Sequence, residues 1–200
     1  MRMQNKVTGV VLAGGLARRM NKQDKGLVIY HNKPMVSYAF EAMSQVADTV
    51  FINANRNIPR YEQFGCAVIS DQTDTFDGPL AGILSAMMHA KTESLLVMPC
   101  DSPLLRSQHL QKLLTALLDP EKQVDIAVAF DGERIQPVLL ALKTSLQGSL
   151  EDYLQQGQRK IDRWLAQHAV HKVDFSQETD VFLNINTLSE LHALEQNQVE

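Results

Sequence analysis

The segment Leu12 to Leu27 reads LAGGLARRMNKQDKGL and concentrates what a bound phosphate requires. Gly14 and Gly15 let the backbone approach a ligand closely, successive amides can form a concave nest for phosphate oxygens, and Arg18, Arg19, Lys22 and Lys25 follow at once. Arginine offers phosphate a planar fork, lysine a point charge. A solvated surface loop is the alternative for a lone Gly-Gly pair, and four basic residues this close behind the turn weigh against it. G-x-G-x-x-G and G-x-x-x-x-G-K-[ST] are both absent, which disfavours a dinucleotide dehydrogenase and a P-loop ATPase.

Such residues need a frame to hold them. Short apolar runs alternate with stretches of helical period, the pattern of strands joined by crossover helices in a mostly parallel sheet. Val7–Leu12, Thr49–Asn53, Ala67–Ile69, Leu95–Met98, Ile126–Phe130 and Pro137–Leu142 read as strands covered on both faces. Leu110, Leu113, Leu114, Leu117 and Leu118 fall on one helix face, with Ser107 as the expected N-cap. Leu80, Ile83, Leu84 and Met87 trace a second stripe, with Pro79 in its first turn. Both stripes read as core. Past Thr144 come two helical stretches separated by Gly157, then β-like pieces at Val170–Val173 and Val181–Ile185. Thr187-Leu188-Ser189-Glu190 is a capping box for a terminal helix. The expected architecture is α/β in three layers with a small C-terminal lobe, as one domain over residues 1–200.

Composition agrees. The 200 residues are 44% hydrophobic and 21% charged, as in an ordinary globular chain, and the net charge of −4 argues against a general polyanion binder such as a nucleic-acid protein. No apolar run approaches the roughly 20 residues that cross a bilayer. Cys66 and Cys100 lack C-x-x-C spacing, so reduced, buried thiols are expected rather than a disulfide scaffold or zinc site. Arg2, Lys6 and Val7 to Ala17 mimic a signal peptide, but Gly14, Gly15 and Arg18-Arg19 interrupt it, which leaves the cytoplasm as the expected compartment.

The run L-A-G-G-x-x-x-R-M resembles the signature of the nucleotidyltransferase superfamily, and its D-K-G-L ending is similar to that of the molybdenum cofactor guanylyltransferases. The resemblance recurs in order at Asn53-Ala54-Asn55-Arg56, at Asp71, at DGPLAG (77–82), at PCDSP (99–103) and at FLNINT (182–187), across almost the whole chain. Asn21 and Lys22 depart from it, standing where the family usually has two glycines. The resemblance implies a Rossmann-like nucleotidyltransferase fold with a C-terminal substrate lobe. The implied reaction transfers GMP from GTP to the phosphate of molybdenum-molybdopterin, releases pyrophosphate and yields the molybdopterin guanine dinucleotide cofactor.

Read onto this chain, the resemblance makes Asp101, just past a strand end, the ligand of Mg²⁺, an ion commonly held by one or two carboxylates plus substrate phosphates. Capping of the next helix is the alternative for Asp101. Asn186 is implied at the same metal and Asn184 at the pterin, with loop hydrogen bonding as the alternative for both. Lys25 is expected at the α-phosphate and Arg19 at the departing β- and γ-phosphates. Asp71 suits the paired N–H donors of guanine, which cytosine lacks. Asn53 is expected at base or ribose, and the backbone of Leu12, Ala13, Gly14, Gly15 and Gly78 is expected around the nucleotide. Arg159 and Lys160 resemble a basic pair turned toward the pterin phosphate, with a solvated helix face as the alternative. Asp24 receives no role, Trp164 is read as packing, and His168 and His171 as ordinary surface histidines. Cofactor-biosynthesis proteins or apo-molybdoenzymes are the expected protein partners. The competing functions are a nucleotidyltransferase of this fold using CTP or a sugar-phosphate acceptor, and a non-catalytic GTP-binding module.

Overall fold

The computed structural model describes residues 6–14, 24–72, 78–185 and residue 190. Strand β1 (Val7–Leu12) opens the fold, and a hairpin of β2 (Ile29–Tyr30) and β3 (Lys33–Pro34) leads into helix α1 (Met35–Ser44). There follow β4 (Thr49–Asn53), the short α2 (Ile58–Tyr61), β5 (Ala67–Ile69), α3 (Pro79–His89), β6 (Ser94–Pro99) and α4 (Ser107–Leu118). The remainder is β7 (Ile126–Phe130), β8 (Ile135–Lys143), α5 (Gln147–Gln155), α6 (Ile161–Leu165) and β9 (Val170–Asp174).

The main sheet runs β5-β4-β1-β6-β8-β7-β9. Only β8 is antiparallel to its neighbours; the others point the same way. Neighbouring residues on a strand face opposite ways, and here both faces are apolar. Val11, Leu96, Ala127 and Ala141 pack in one cluster with residues of α1 and α4. Val10, Leu95, Val97, Val128 and Leu140 pack in another with α3, α5 and α6. That is the three-layer α/β arrangement expected, and the stretch after Thr144 joins it directly: Leu150, Tyr153, Trp164 and Leu165 enter the second cluster while β9 extends the sheet.

Chain order sets where a ligand can sit. From β1 the chain moves outward through β4 to β5, then returns to place β6 on the other side of β1. Connections leaving β1 and β6 therefore diverge, opening a crevice at the carboxyl ends of the parallel strands. The next strand widens it. Val128 pairs with Leu140 but Ala129 with Gln136, so β8 bulges at 137–139. Pro137 has no N–H to give a ladder, which fits this break.

Several expectations need correction. Arg106, not Ser107, is the N-cap of α4: the Arg106 amide donates to His109 Nδ1 at 2.9 Å, and Ser107 Oγ donates instead to Gln45 Oε1 at 2.8 Å. Val181–Ile185 forms no strand; residues 179–182 make a 3-10 turn, and Ile185 N–H then donates to the Asp101 carbonyl at 3.0 Å. His168 is no ordinary surface residue. Its ring packs edge-on against the fully buried Trp164 at 4.9 Å, its Nε2 lies 3.1 Å from Ser149 Oγ, and burial lowers its pKa. Cys100 is buried and Cys66 half-buried, both without a disulfide. Gly15, Arg18, Arg19, Asn21, Lys22, Asn186 and the capping box at 187–190, except Glu190 itself, lie outside the described residues.

Candidate active site

A cavity of about 420 Å³ opens at the carboxyl ends of β1, β4 and β6. From β1 come Leu12, Ala13 and Gly14; from β4, Asn53; beyond β5, Asp71. Gly78 and Pro79 enter at the start of α3, and Pro99, Cys100 and Asp101 at the end of β6. Lys25, Asn184 and Val138 from the bulged β8 complete the wall. Nine residues expected from sequence at the nucleotide, its metal or the acceptor, drawn from seven places in the chain, thus share one cavity: Leu12, Ala13, Gly14, Lys25, Asn53, Asp71, Gly78, Asp101 and Asn184.

One pole of the cavity is an ion pair. Lys25 Nζ lies 3.0 Å from Asp101 Oδ2, with side chains 25% and 16% exposed, screened enough for charge to act over short range and open enough for a ligand to enter. Each partner is fixed from behind. Cys100 N–H donates to the Leu12 carbonyl at 3.1 Å, and Ser102 Oγ donates to Asn184 Oδ1, tying the loop of Asp101 to β1 and to the FLNI segment. On the lysine side, Asp24 is only 6% exposed and accepts from Tyr61 Oη at 2.5 Å and from Asn57 Nδ2 at 3.1 Å, with Arg56 Nε at 3.5 Å. A buried carboxylate needs such partners, and here they anchor the turn that carries Lys25. Gly26 makes the fit: a Cβ there would stand 2.6 Å from Tyr61 Oη and 3.4 Å from Cys100 Sγ. Burial pushes the Tyr61 hydroxyl and the Cys100 thiol to higher pKa, so both stay protonated beside the carboxylates.

The other pole is Asp71. Asn53 Nδ2 donates to its Oδ1 at 2.9 Å and Asn55 Nδ2 to its Oδ2 at 2.7 Å, while Asp71 N–H donates to Asn55 Oδ1 at 2.9 Å. Asn53, 3% exposed, is wedged against α3, where a Cβ on Gly82 would collide with its carboxamide. The glycine of DGPLAG at 82 thus lets a helix backbone press on the side chain that aims Asp71.

Two expected residues lie apart. Arg159 and Lys160 occupy the loop between α5 and α6, where Arg159 Nη1 donates to the Leu154 and Gln158 carbonyls and the Lys160 carbonyl accepts from Tyr153 Oη. Neither lines the cavity. Conversely, Asn55, Tyr61, Cys100 and Val138 belong to the site or its support without having been given a role there from the sequence, although Asn55 and Cys100 stand within the motifs quoted above. Asn55 had a readable signal, since its i, i+2 spacing from Asn53 on extended chain puts both side chains on one side.

Among the described residues no three His, Cys, Asp or Glu side chains cluster to hold a metal. Asp101, at the pole of the cavity opposite Asp71, nonetheless fits Mg²⁺, because that ion needs only one or two carboxylates when phosphates supply the other oxygens. No helix among the described residues is long and apolar enough to cross a membrane.

Residues 9–173 match the family described as "MobA-like NTP transferase domain". A molybdenum cofactor guanylyltransferase of Shewanella halifaxensis is 45% identical over 185 residues, 92% of each chain. One from Shewanella piezotolerans is 43% identical over 199 residues, 96% of this chain and 97% of its own. Among solved structures, molybdopterin-guanine dinucleotide biosynthesis protein A from Archaeoglobus fulgidus superposes with a TM-score of 0.78 at 24% identity, covering 96% of this chain and 98% of that one, which speaks to the shared fold.

Proposed function

The chain belongs to the family of MobA-like NTP transferases, and we propose that it acts as its relatives are named, as a molybdenum cofactor guanylyltransferase. A terminal phosphate oxygen of molybdenum-molybdopterin attacks the α-phosphorus of GTP. A new P–O bond forms, the bond from the α-phosphorus to the α,β-bridging oxygen breaks, and pyrophosphate leaves. The product is the molybdopterin guanine dinucleotide.

The observation that supports this most is the pairing of two unlike poles in one cavity: Lys25 with Asp101, and the clamped carboxylate of Asp71. Phosphoryl chemistry of this kind asks a protein mainly for positioning and charge neutralisation. In this reading Lys25 leaves its contact with Asp101 to meet the α-phosphate, and Asp101 is then free to hold Mg²⁺. Held by Asp101, the ion would supply positive charge to offset that of the phosphates. Arg19 is assigned to the leaving phosphates and Asn186 to the metal. The backbone of Leu12 to Gly15 and of Gly78 is assigned to the nucleotide, Asn184 to the acceptor, and Asp71 with Asn53 to the guanine edge. GTP as donor points to the cytoplasm, with proteins that make or receive the cofactor as partners.

Incubation of the purified chain with GTP, Mg²⁺ and molybdenum-molybdopterin should yield pyrophosphate and the guanine dinucleotide in equal amounts. Binding of GTP without turnover, or preferred use of CTP, would overturn the reading.

A further inference from the structure

We infer that Asn55 is a positioning residue that sets base specificity: its carboxamide grips both the amide and the carboxylate of Asp71 and, with Asn53, turns that carboxylate toward a base edge bearing two adjacent N–H donors. The inference rests on the guanylyltransferase reading and names what selects the base within it.

The geometry leaves little freedom. Asn55 Oδ1 accepts from Asp71 N–H at 2.9 Å, so its Nδ2 is the atom facing Asp71 Oδ2 at 2.7 Å; the flipped amide would set donor against donor. Asn53 Nδ2 engages the other oxygen at 2.9 Å and also the Ile69 carbonyl at 3.3 Å. Each carboxylate oxygen thereby accepts one amide N–H, and each keeps a lone pair for the cavity that Asp71 lines. Two oxygens held in a fixed plane match N1–H and the 2-amino group of guanine at once. A carboxylate free to rotate would match one of them well and the other poorly.

Asn55 is not itself among the residues lining the cavity. An aspartate at 55 could still accept from the Asp71 amide but could not donate to its carboxylate, and would set a like charge against it. Backbone just before Asn55 is held independently: Ala54 N–H donates to the Ile69 carbonyl at 2.9 Å and Ser70 Oγ to the Ala54 carbonyl at 2.9 Å. Changes at 55 therefore act on the clamp more than on the fold.

The test compares wild type, Asn55→Ala and Asn55→Asp with GTP and with ITP, whose base keeps N1–H but lacks the 2-amino group. Loss of a hydrogen bond to a charged group should raise KM for GTP by about tenfold or more. The change in kcat should stay within about threefold, because the base edge is remote from the bond being broken. KM for ITP should rise less, so the GTP to ITP ratio of kcat/KM falls toward one. Melting temperature checks folding, and Asn55→Asp, which retains the acceptor for the Asp71 amide, serves if the alanine variant is unstable. Wild type that uses GTP and ITP alike, or folded variants that keep the wild-type ratio, would overturn the inference and leave guanylyl transfer standing. Wild type that transfers nothing from GTP would remove both.

Discussion

Replacing Gly26 with alanine tests whether the buried Asp24 anchor positions the lysine arm. The added Cβ would lie 2.6 Å from Tyr61 Oη, 3.3 Å from Cε1 of the same ring and 3.4 Å from Cys100 Sγ, and only the first distance is prohibitive. Tyr61 cannot easily yield, being fully buried and bonded to Asp24 Oδ1 at 2.5 Å. Either its hydrogen bond to a charged acceptor is strained, at a cost of about 1.5–3 kcal/mol, or the turn of residues 25–27 shifts, at about 1–3 kcal/mol for overpacking. A loss of about 2 kcal/mol corresponds to a melting temperature lower by roughly 4–8 °C in a chain of this size. Because Lys25 adjoins the clash, kcat/KM for GTP should fall as well. Tyr61→Phe separates these terms. It removes the hydroxyl and so costs the Asp24 bond, but in its background the alanine meets only ring carbon and sulfur near ordinary contact distance. The double variant should thus be more stable than the two single effects predict, by about 1 kcal/mol or more in urea titrations. Additivity within about 0.5 kcal/mol would refute the argument, since distant, uncoupled sites add to that tolerance.

Asp101→Asn should reduce turnover to background. It should lower stability by no more than about 1 kcal/mol, because the pair with Lys25 is partly exposed; a variant with wild-type rate would sink the role assigned to Asp101. Asp71→Ala should erode the preference for GTP over CTP while the protein stays folded, as read from competition between the two nucleotides; an unchanged preference would exclude Asp71 as base reader. Burial lowers the pKa of both His109 and His168 from 6.5. The unfolded imidazoles therefore take protons first as pH falls through 6.5, and stability is lost on the acid side of that value. Urea midpoints at pH 7.5 and 5.5 should differ accordingly. The difference should shrink in His109→Asn, which keeps an acceptor for the Arg106 amide; equal midpoints in wild type would contradict the burial argument.

How much of this was legible in the chain depended on the range of the interaction. The strands were readable because a strand buried on both faces is a continuous apolar run, and Leu95 to Met98 or Ile126 to Phe130 allow little else. Helix α1 carries its period too, with Met35, Val36, Ala39, Ala42 and Met43 all buried, yet Ser37 is also buried and blurs the polar face. Its hairpin depends on His31 and Asn32 both adopting positive φ, of 42° and 65°, a turn that no glycine announced. At the site, the motifs named most of the residues that face the cavity, Val138 excepted. They could not name those behind them. Asp24 next to Lys25 has no legible role until Tyr61 and Asn57, more than thirty positions away, close around it. The opposition of Lys25 and Asp101 likewise follows from β1 and β6 being neighbours, which is a property of topology and not of spacing.

Both poles of the cavity are braced from one short stretch. Strand β4 ends at Asn53, in register with Leu12 of β1. Asn53 and Asn55 then reach Asp71 on one side, while Arg56 and Asn57 reach Asp24 on the other. Asn57 takes a left-handed backbone with φ of 53°, a conformation asparagine tolerates better than most residues, and this turns the chain into α2, which delivers Tyr61 to Asp24. Two independent loops would let the base-reading carboxylate and the phosphate-binding lysine drift relative to one another. A single segment pinned to the central strand fixes their separation before the nucleotide arrives, so less binding energy is consumed in ordering the site and more is left to hold the α-phosphate where attack occurs.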